Sequence, residues 1–121
     1  MGLQIFGTRK CPDTRKAERF FRDRGVAYQL IDLAEKGISH GELASVVAAL
    51  KEKADSLLDT GGRRYRDRGL AWQDFDAQEE ILADPLLLRT PIVRDGKRAA
   101  VGADPAAWEA MLPAGGGSSR T

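Results

Sequence analysis

Residues 3–31, LQIFGTRKCPDTRKAERFFRDRGVAYQLI, read as a strand, a helix and a second strand. Leu3 and Ile5 alternate with Gln4 before Phe6 and Gly7, as in a half-buried strand, and turn-forming polar residues follow. From Pro12 onward Ala17, Phe20 and Phe21 fall on one helical face, while Arg15, Glu18, Arg19 and Arg22 lie elsewhere. Gly25 stops this helix, because glycine adopts the left-handed conformation at a helix C-terminus without a Cβ clash. Val26–Ile31 predicts the second strand. A single helix between two strands suits a parallel, right-handed crossover.

Working outward, the middle of the chain reads as helical. Ser39 and Glu42 have capping-box spacing, and Leu43, Val46, Val47 and Leu50 follow at i, i+3, i+4 and i+7. Leu57 and Leu58 close a second short helix before Thr60-Gly61-Gly62 turns the chain. Asp76, with Glu79 three residues later, starts another helix that carries Ile81 and Leu82 and is interrupted by Asp84-Pro85. The period then changes back. Residues 91–94 and 98–101 flank Asp95-Gly96, a strong signal for a tight antiparallel hairpin. Asp104-Pro105 caps and opens a last helix whose Trp108, Met111 and Leu112 share a face. The order βαβ, helical block, ββα predicts an α/β thioredoxin-like fold with a four-stranded mixed sheet. Residues 1–112 form one predicted domain, and 113–121, rich in glycine and serine, form a flexible tail.

Composition narrows the function. The 121 residues are 42% hydrophobic and 31% charged, which suits one folded domain with a real core. Nineteen basic against eighteen acidic side chains leave a net charge of +1, so the overall balance points to no nucleic-acid or membrane partner. No apolar run approaches membrane-spanning length, and the N-terminal residues turn polar too soon for a secretory signal. One cysteine excludes an internal disulfide framework, and one histidine beside it excludes the usual zinc clusters. A cytoplasmic protein without metal is expected.

Cys11 carries the functional argument. It falls at the N-cap of the first helix, with Pro12 as the first helical residue, so the free amides of Asp13 and Thr14 point back toward the sulfur. Those donors and the helix dipole favour thiolate over thiol. Arg15, one turn on, adds positive charge with Arg9 and Lys10, while the Asp13 carboxylate opposes them. A dithiol oxidoreductase would carry a second cysteine where this chain has Thr14. A lone thiol cannot resolve its own mixed disulfide, so an external thiol such as glutathione, a glutaredoxin or a thioredoxin is required to regenerate it.

A second candidate segment is Arg89-Thr90-Pro91, at the entrance to the third strand. Proline suits a strand entrance for want of its N–H, and also suits a turn that presents the Thr90 backbone to the cysteine loop. Arg89, Arg94, Arg98, Arg63 and Arg64 offer forked donors for an oxyanion or a glutathione carboxylate, and Arg89 is favoured by its nearness to Pro91. Trp72 and Trp108 read as packing residues.

Together these segments resemble the arsenate reductase-like family, including its Spx-type and glutaredoxin-like members. The likeness is carried by IFGTRKCPDTRKAERFFRDRGVAYQLIDL, LLDTGGRRYRDRGL, DPLLLRTPIVRDGKRAAVG and DPAAWEAML, from about Leu3 to Leu112. It implies a thioredoxin fold with an inserted helical region, a nucleophilic Cys11, a cis-proline at Pro91, and Arg63 as the arginine of the helical region. It also implies glutathione as co-substrate rather than bound cofactor. The chain departs from the glutathione-dependent reductases: no histidine lies in residues 6–10, and Thr90 separates Arg89 from Pro91. The resemblance therefore supports a general monothiol oxidoreductase, with a non-catalytic Spx-like regulator docking on RNA polymerase as the alternative.

Overall fold

The computed structural model describes residues 2–112; the predicted tail lies outside the described residues. Four strands, β1 (Leu3–Gly7), β2 (Tyr28–Asp32), β3 (Ile92–Asp95) and β4 (Arg98–Val101), form one sheet in the order β2-β1-β3-β4. β1 and β2 run parallel, and the other two neighbouring pairs are antiparallel, giving the expected mixed thioredoxin-like sheet. The connecting helix α1 (Pro12–Asp23) begins at the proline and ends where expected. Gly25, at φ 70°, donates its amide to Arg22, and Val26 donates to Phe21. That pair of bonds closes the carbonyl end of the helix. It also takes up the Val26 amide, so β2 starts at Tyr28 rather than at Val26.

Apolar side chains alternate across the sheet and build a core on each face. Leu3, Ile5 and Val93 pack against Ala17 and Phe21 of α1 and Trp108 and Met111 at the C-terminal end. Phe6, Ile31 and Ile92 face the helical block instead, against Leu43, Val46, Leu57, Leu70, Ile81 and Leu87. α6 (Pro105–Ala110) is capped by Asp104, which accepts from the Ala107 amide. Trp108 is buried, as its spacing predicts; Trp72 is not, and is 90% exposed. The 3₁₀ turn Leu70–Trp72 drives Leu70 into the core and carries the residue two positions later outward.

The helical block contains more elements than the sequence suggests. α2 (Leu33–Lys36) follows β2 directly, and α3 (His40–Leu50) carries the complete Ser39–Glu42 capping box. The second short helix is a 3₁₀ turn, Ala54–Leu57, and Leu58 instead forms an antiparallel bridge with Leu88. α4 (Arg63–Asp67) has no buried residue and so no periodic signal. α5 (Ala77–Ala83) starts at Asp76 as expected. The final hairpin is shifted by one residue: Asp95 pairs with Arg98 in the ladder, and Gly96-Lys97 form the loop. Gly96, at φ 61°, supplies the conformation a glycine-first two-residue loop requires. An Arg98–Asp95 ion pair of 2.7 Å favours that register.

Asp84 binds the block together. Its carboxylate lies 2.9 Å from the Arg64 guanidinium and 3.2 Å from that of Arg68, which also meets Glu80 at 2.5 Å. Burial pushes the Asp84 pKa up, but the hydrogen bond and charge of Arg64, with those of Arg68, hold it below the ordinary value. A depressed carboxylate pKa contributes stability above the unfolded value of about 3.9 and loses it as pH falls through the folded value. Asp84→Asn is expected to cost about 1 kcal/mol at neutral pH. Denaturant melts should show the variant and the parent converging at acid pH, and an unchanged gap would remove this role.

Candidate active site

Three elements meet at Cys11. The Cys11 amide donates to the Thr8 carbonyl (3.2 Å), turning the chain directly after β1. Cys11 then takes the N-cap position at φ −81° and ψ 116°, with Pro12 beginning α1. Proline is well placed there, since the first helical N–H has no intrahelical partner to lose. The loop is fastened on its outer side. Arg15 donates from Nη1 to the Arg9 carbonyl (2.7 Å), and Arg9 lies 3.7 Å from Asp32 at the end of β2. The other Asp32 oxygen accepts from the Ala34 amide and caps α2.

The third element comes from far along the chain. Phe6 is paired with Ile92, so the residues just before β3 lie beside those just after β1. The Thr90–Pro91 peptide is cis, and Pro91 is buried. Thr90 Oγ1 donates to Cys11 Sγ at 3.1 Å, although 79 residues separate the two in sequence. The thiol in turn reaches the Thr90 carbonyl at 3.8 Å.

Thr14, one turn into α1, completes the surroundings of the sulfur. It is fully buried, and its Oγ1 has no conventional hydrogen-bond partner among the described residues. Gly7 permits this position: a Cβ there would stand 2.3 Å from Thr14 Oγ1 and 2.6 Å from Cγ2. Partial burial of the thiol pushes its pKa up. The Thr14 and Thr90 hydroxyls, then the Thr14 and Asp13 amides, act in the opposite direction and prevail, leaving the pKa below that of an ordinary cysteine. Donors converging on a half-buried sulfur stabilise its anion, the nucleophilic form.

The sequence candidates divide on position. Cys11, Pro12, Asp13, Thr14, Thr90 and Pro91 are brought together. Arg15 holds the loop through the Arg9 carbonyl and does not hydrogen-bond to the sulfur. Arg89 donates to the Ser56 carbonyl (3.2 Å) and lines a groove of about 320 Å³ with Glu52, Val101 and Asp104. Arg63 is 86% exposed on α4 and pairs with Asp67 of the same helix at 3.8 Å. Among the described residues no group of three or more His, Cys, Asp or Glu is arranged to hold a metal ion. The two features that the sequence did not reveal are the buried Thr14 hydroxyl and the need for Gly7 beneath it. A glycine at the end of a strand, where no turn requires it, was the available signal.

The sequence profile of the ArsC family matches residues 6–111, nearly the whole described chain. The chain belongs to the ArsC family. It is 30% identical over 105 residues to the global transcriptional regulator Spx 2 of Oceanobacillus iheyensis, covering 84% of this chain and 77% of that protein. Among solved structures, the YFFB protein superimposes with a TM-score of 0.78 at 27% identity, covering 92% of this chain and 99% of the other. An arsenate reductase from Vibrio cholerae shares the fold with a TM-score of 0.80 at 22% identity, covering 93% and 98%. This ArsC-family protein thus has relatives named as regulators and structural neighbours named as reductases.

Two substitutions test the donors. Thr90→Val is expected to slow alkylation of Cys11 by iodoacetamide at neutral pH about ten-fold or more, the worth of one hydrogen bond to a charged group. Thr90→Ser should retain most of the rate. Gly7→Ala should also slow alkylation, because the new methyl displaces Thr14. Wild-type rates in both Thr90→Val and Gly7→Ala would show that these hydroxyls do not hold the thiolate.

Proposed function

We propose that the protein is a monothiol oxidoreductase of the cytoplasm, with Cys11 as its nucleophile and an external thiol as its reductant. The observation that carries this reading is the hydrogen bond from Thr90 Oγ1 to a partly exposed Cys11 sulfur at the head of α1, a thiol whose pKa is held below the ordinary cysteine value. The Cys11 thiolate attacks one sulfur of a substrate disulfide, forming a Cys11 mixed disulfide as the other sulfur leaves as a thiolate. A second thiolate, from glutathione, a glutaredoxin or a thioredoxin, then attacks the substrate sulfur of that mixed disulfide and releases Cys11 as thiolate. No second thiol is available within the chain, since Cys11 is its sole cysteine. Thr90 and Pro91 align the partner, Asp13 and Thr14 supply amides, Pro12 sets the start of the helix, and Arg15 steadies the loop. Arg89 is the anchor for a carboxylate, from the groove beyond Thr90. Arg63 is more remote on α4 and its part would be confined to long substrates.

The likeness to a regulator named Spx favours one second reading: a non-catalytic protein that docks on RNA polymerase. Thr14, standing where a second cysteine would complete a Cys-x-x-Cys pair, weighs against a disulfide switch of that kind. An activity panel with glutathione and glutaredoxin separates the readings, offering arsenate, a glutathionylated protein and a small mixed disulfide. Reduction of a mixed disulfide by the wild type, abolished in Cys11→Ser, is the expected result. No turnover of any substrate, together with capture of RNA polymerase from extract by both proteins, would transfer the assignment to the regulator.

A further inference from the structure

The outer face of α1 carries a feature that the nucleophile itself does not need. Thr14, Ala17 and Phe21 define the buried side of the helix. At about 100° per residue, Arg15, Lys16, Arg19 and Arg22 fall on the opposite side, and all four are exposed. Residues 9–24 hold seven basic and three acidic side chains, a net of +4 in a chain whose total is +1. Within α1 itself four basic residues face three acidic ones; Arg9, Lys10 and Arg24 flank the helix and raise the stretch to +4, leaving the remainder of the chain net acidic.

Two of the acids on this helix are engaged, both next to its basic face, where Arg22 also approaches the Tyr28 hydroxyl. Glu18 accepts from the Tyr28 hydroxyl at 2.8 Å, and Asp13 lies 4.0 Å from Lys16. Asp23 stands at the far end, in the last turn. Arg24 is also set apart, stacked 3.7 Å over the Phe20 ring and bonded to the Phe20 carbonyl. Among the described residues neither Arg19 nor Arg22 forms an ion pair with a carboxylate. Arginines at successive turns present forked donors at a spacing that a run of carboxylates can match.

We propose that Arg15, Arg19 and Arg22 form a docking row for an acidic segment of a protein partner, delivering that partner's disulfide to Cys11 at the head of the same helix. The inference rests on Cys11 acting as a nucleophile and adds the chemistry of the partner. A protein is favoured over a nucleic acid because the row starts at a reactive sulfur and covers one helix of roughly 18 Å. Long-range attraction of this kind acts mainly on the association rate and is screened by salt.

The test uses two single-cysteine peptides activated as 2-pyridyl disulfides, one with four Asp or Glu residues and one neutral. The Cys11 thiolate attacks the peptide sulfur, the Cys11–peptide disulfide forms, and pyridine-2-thione leaves and is read by absorbance. At low ionic strength the wild type should couple to the acidic peptide about ten-fold faster than to the neutral one. High salt should abolish that ratio, Arg19→Glu/Arg22→Glu should abolish or invert it, and the milder Arg19→Ala/Arg22→Ala should reduce it. Equal rates at low salt, or a ratio indifferent to the reversal, would overturn the docking row. So would a random oligonucleotide that displaces the acidic peptide more effectively than the same peptide without its thiol. Failure of the neutral peptide to couple at all would overturn the nucleophile itself, and is distinguishable because that rate does not depend on the row.

Discussion

A threonine hydroxyl 3.1 Å from a cysteine sulfur, contributed by a segment 79 residues away, is the contact on which this site depends. It exists because β1 lies between β2 and β3. The parallel pairing with β2 sets the crossover that places Cys11 at the start of α1. The antiparallel pairing with β3 brings Thr90 to the same end of the sheet. Neither half of the site is sufficient alone. A helix start offers amides to any residue at its cap, and burial of the thiol opposes them. The Thr90 hydroxyl adds a donor from outside the helix, and the thiol lies below the ordinary cysteine pKa.

The local parts of this arrangement were legible in the sequence, and the long-range parts were legible only in outline. Caps are local, so Ser39–Glu42, Asp76 and Asp104 were placed correctly from spacing. So was Pro12 at the start of α1, because Cys-Pro after a strand has few other readings. Thr90 was expected to present its backbone to the cysteine, and the structure adds its hydroxyl. Thr14 was named for its amide, but the packing of its side chain over Gly7 was opaque for a physical reason. Their relation is a steric one between a strand end and a helix interior, and no periodicity records it. The arginines illustrate the same limit. Sequence shows that they are present, but Arg89 is directed by the Ser56 carbonyl and Arg63 by Asp67.

Thr14 links the fold to the chemistry. In place of a second thiol the chain buries a hydroxyl beside the sulfur, and a hydroxyl cannot form a disulfide with it. Under the proposed function, resolution of a mixed disulfide at Cys11 falls to another molecule. Away from the sulfur the described surface carries the exposed Arg15, Lys16, Arg19 and Arg22 of α1 and a groove in which Arg89 lies with Glu52 and Asp104. The distribution of charge, rather than its total, is the informative quantity in a chain this close to neutral.

The most direct measurement is the ultraviolet absorbance of the thiolate followed through a pH titration of the wild type, with Cys11→Ser as the blank. The account predicts a single transition with its midpoint below the free-cysteine value of about 8.5. A midpoint at or above that value would mean that burial outweighs the hydroxyls and amides, and would contradict the account at its centre.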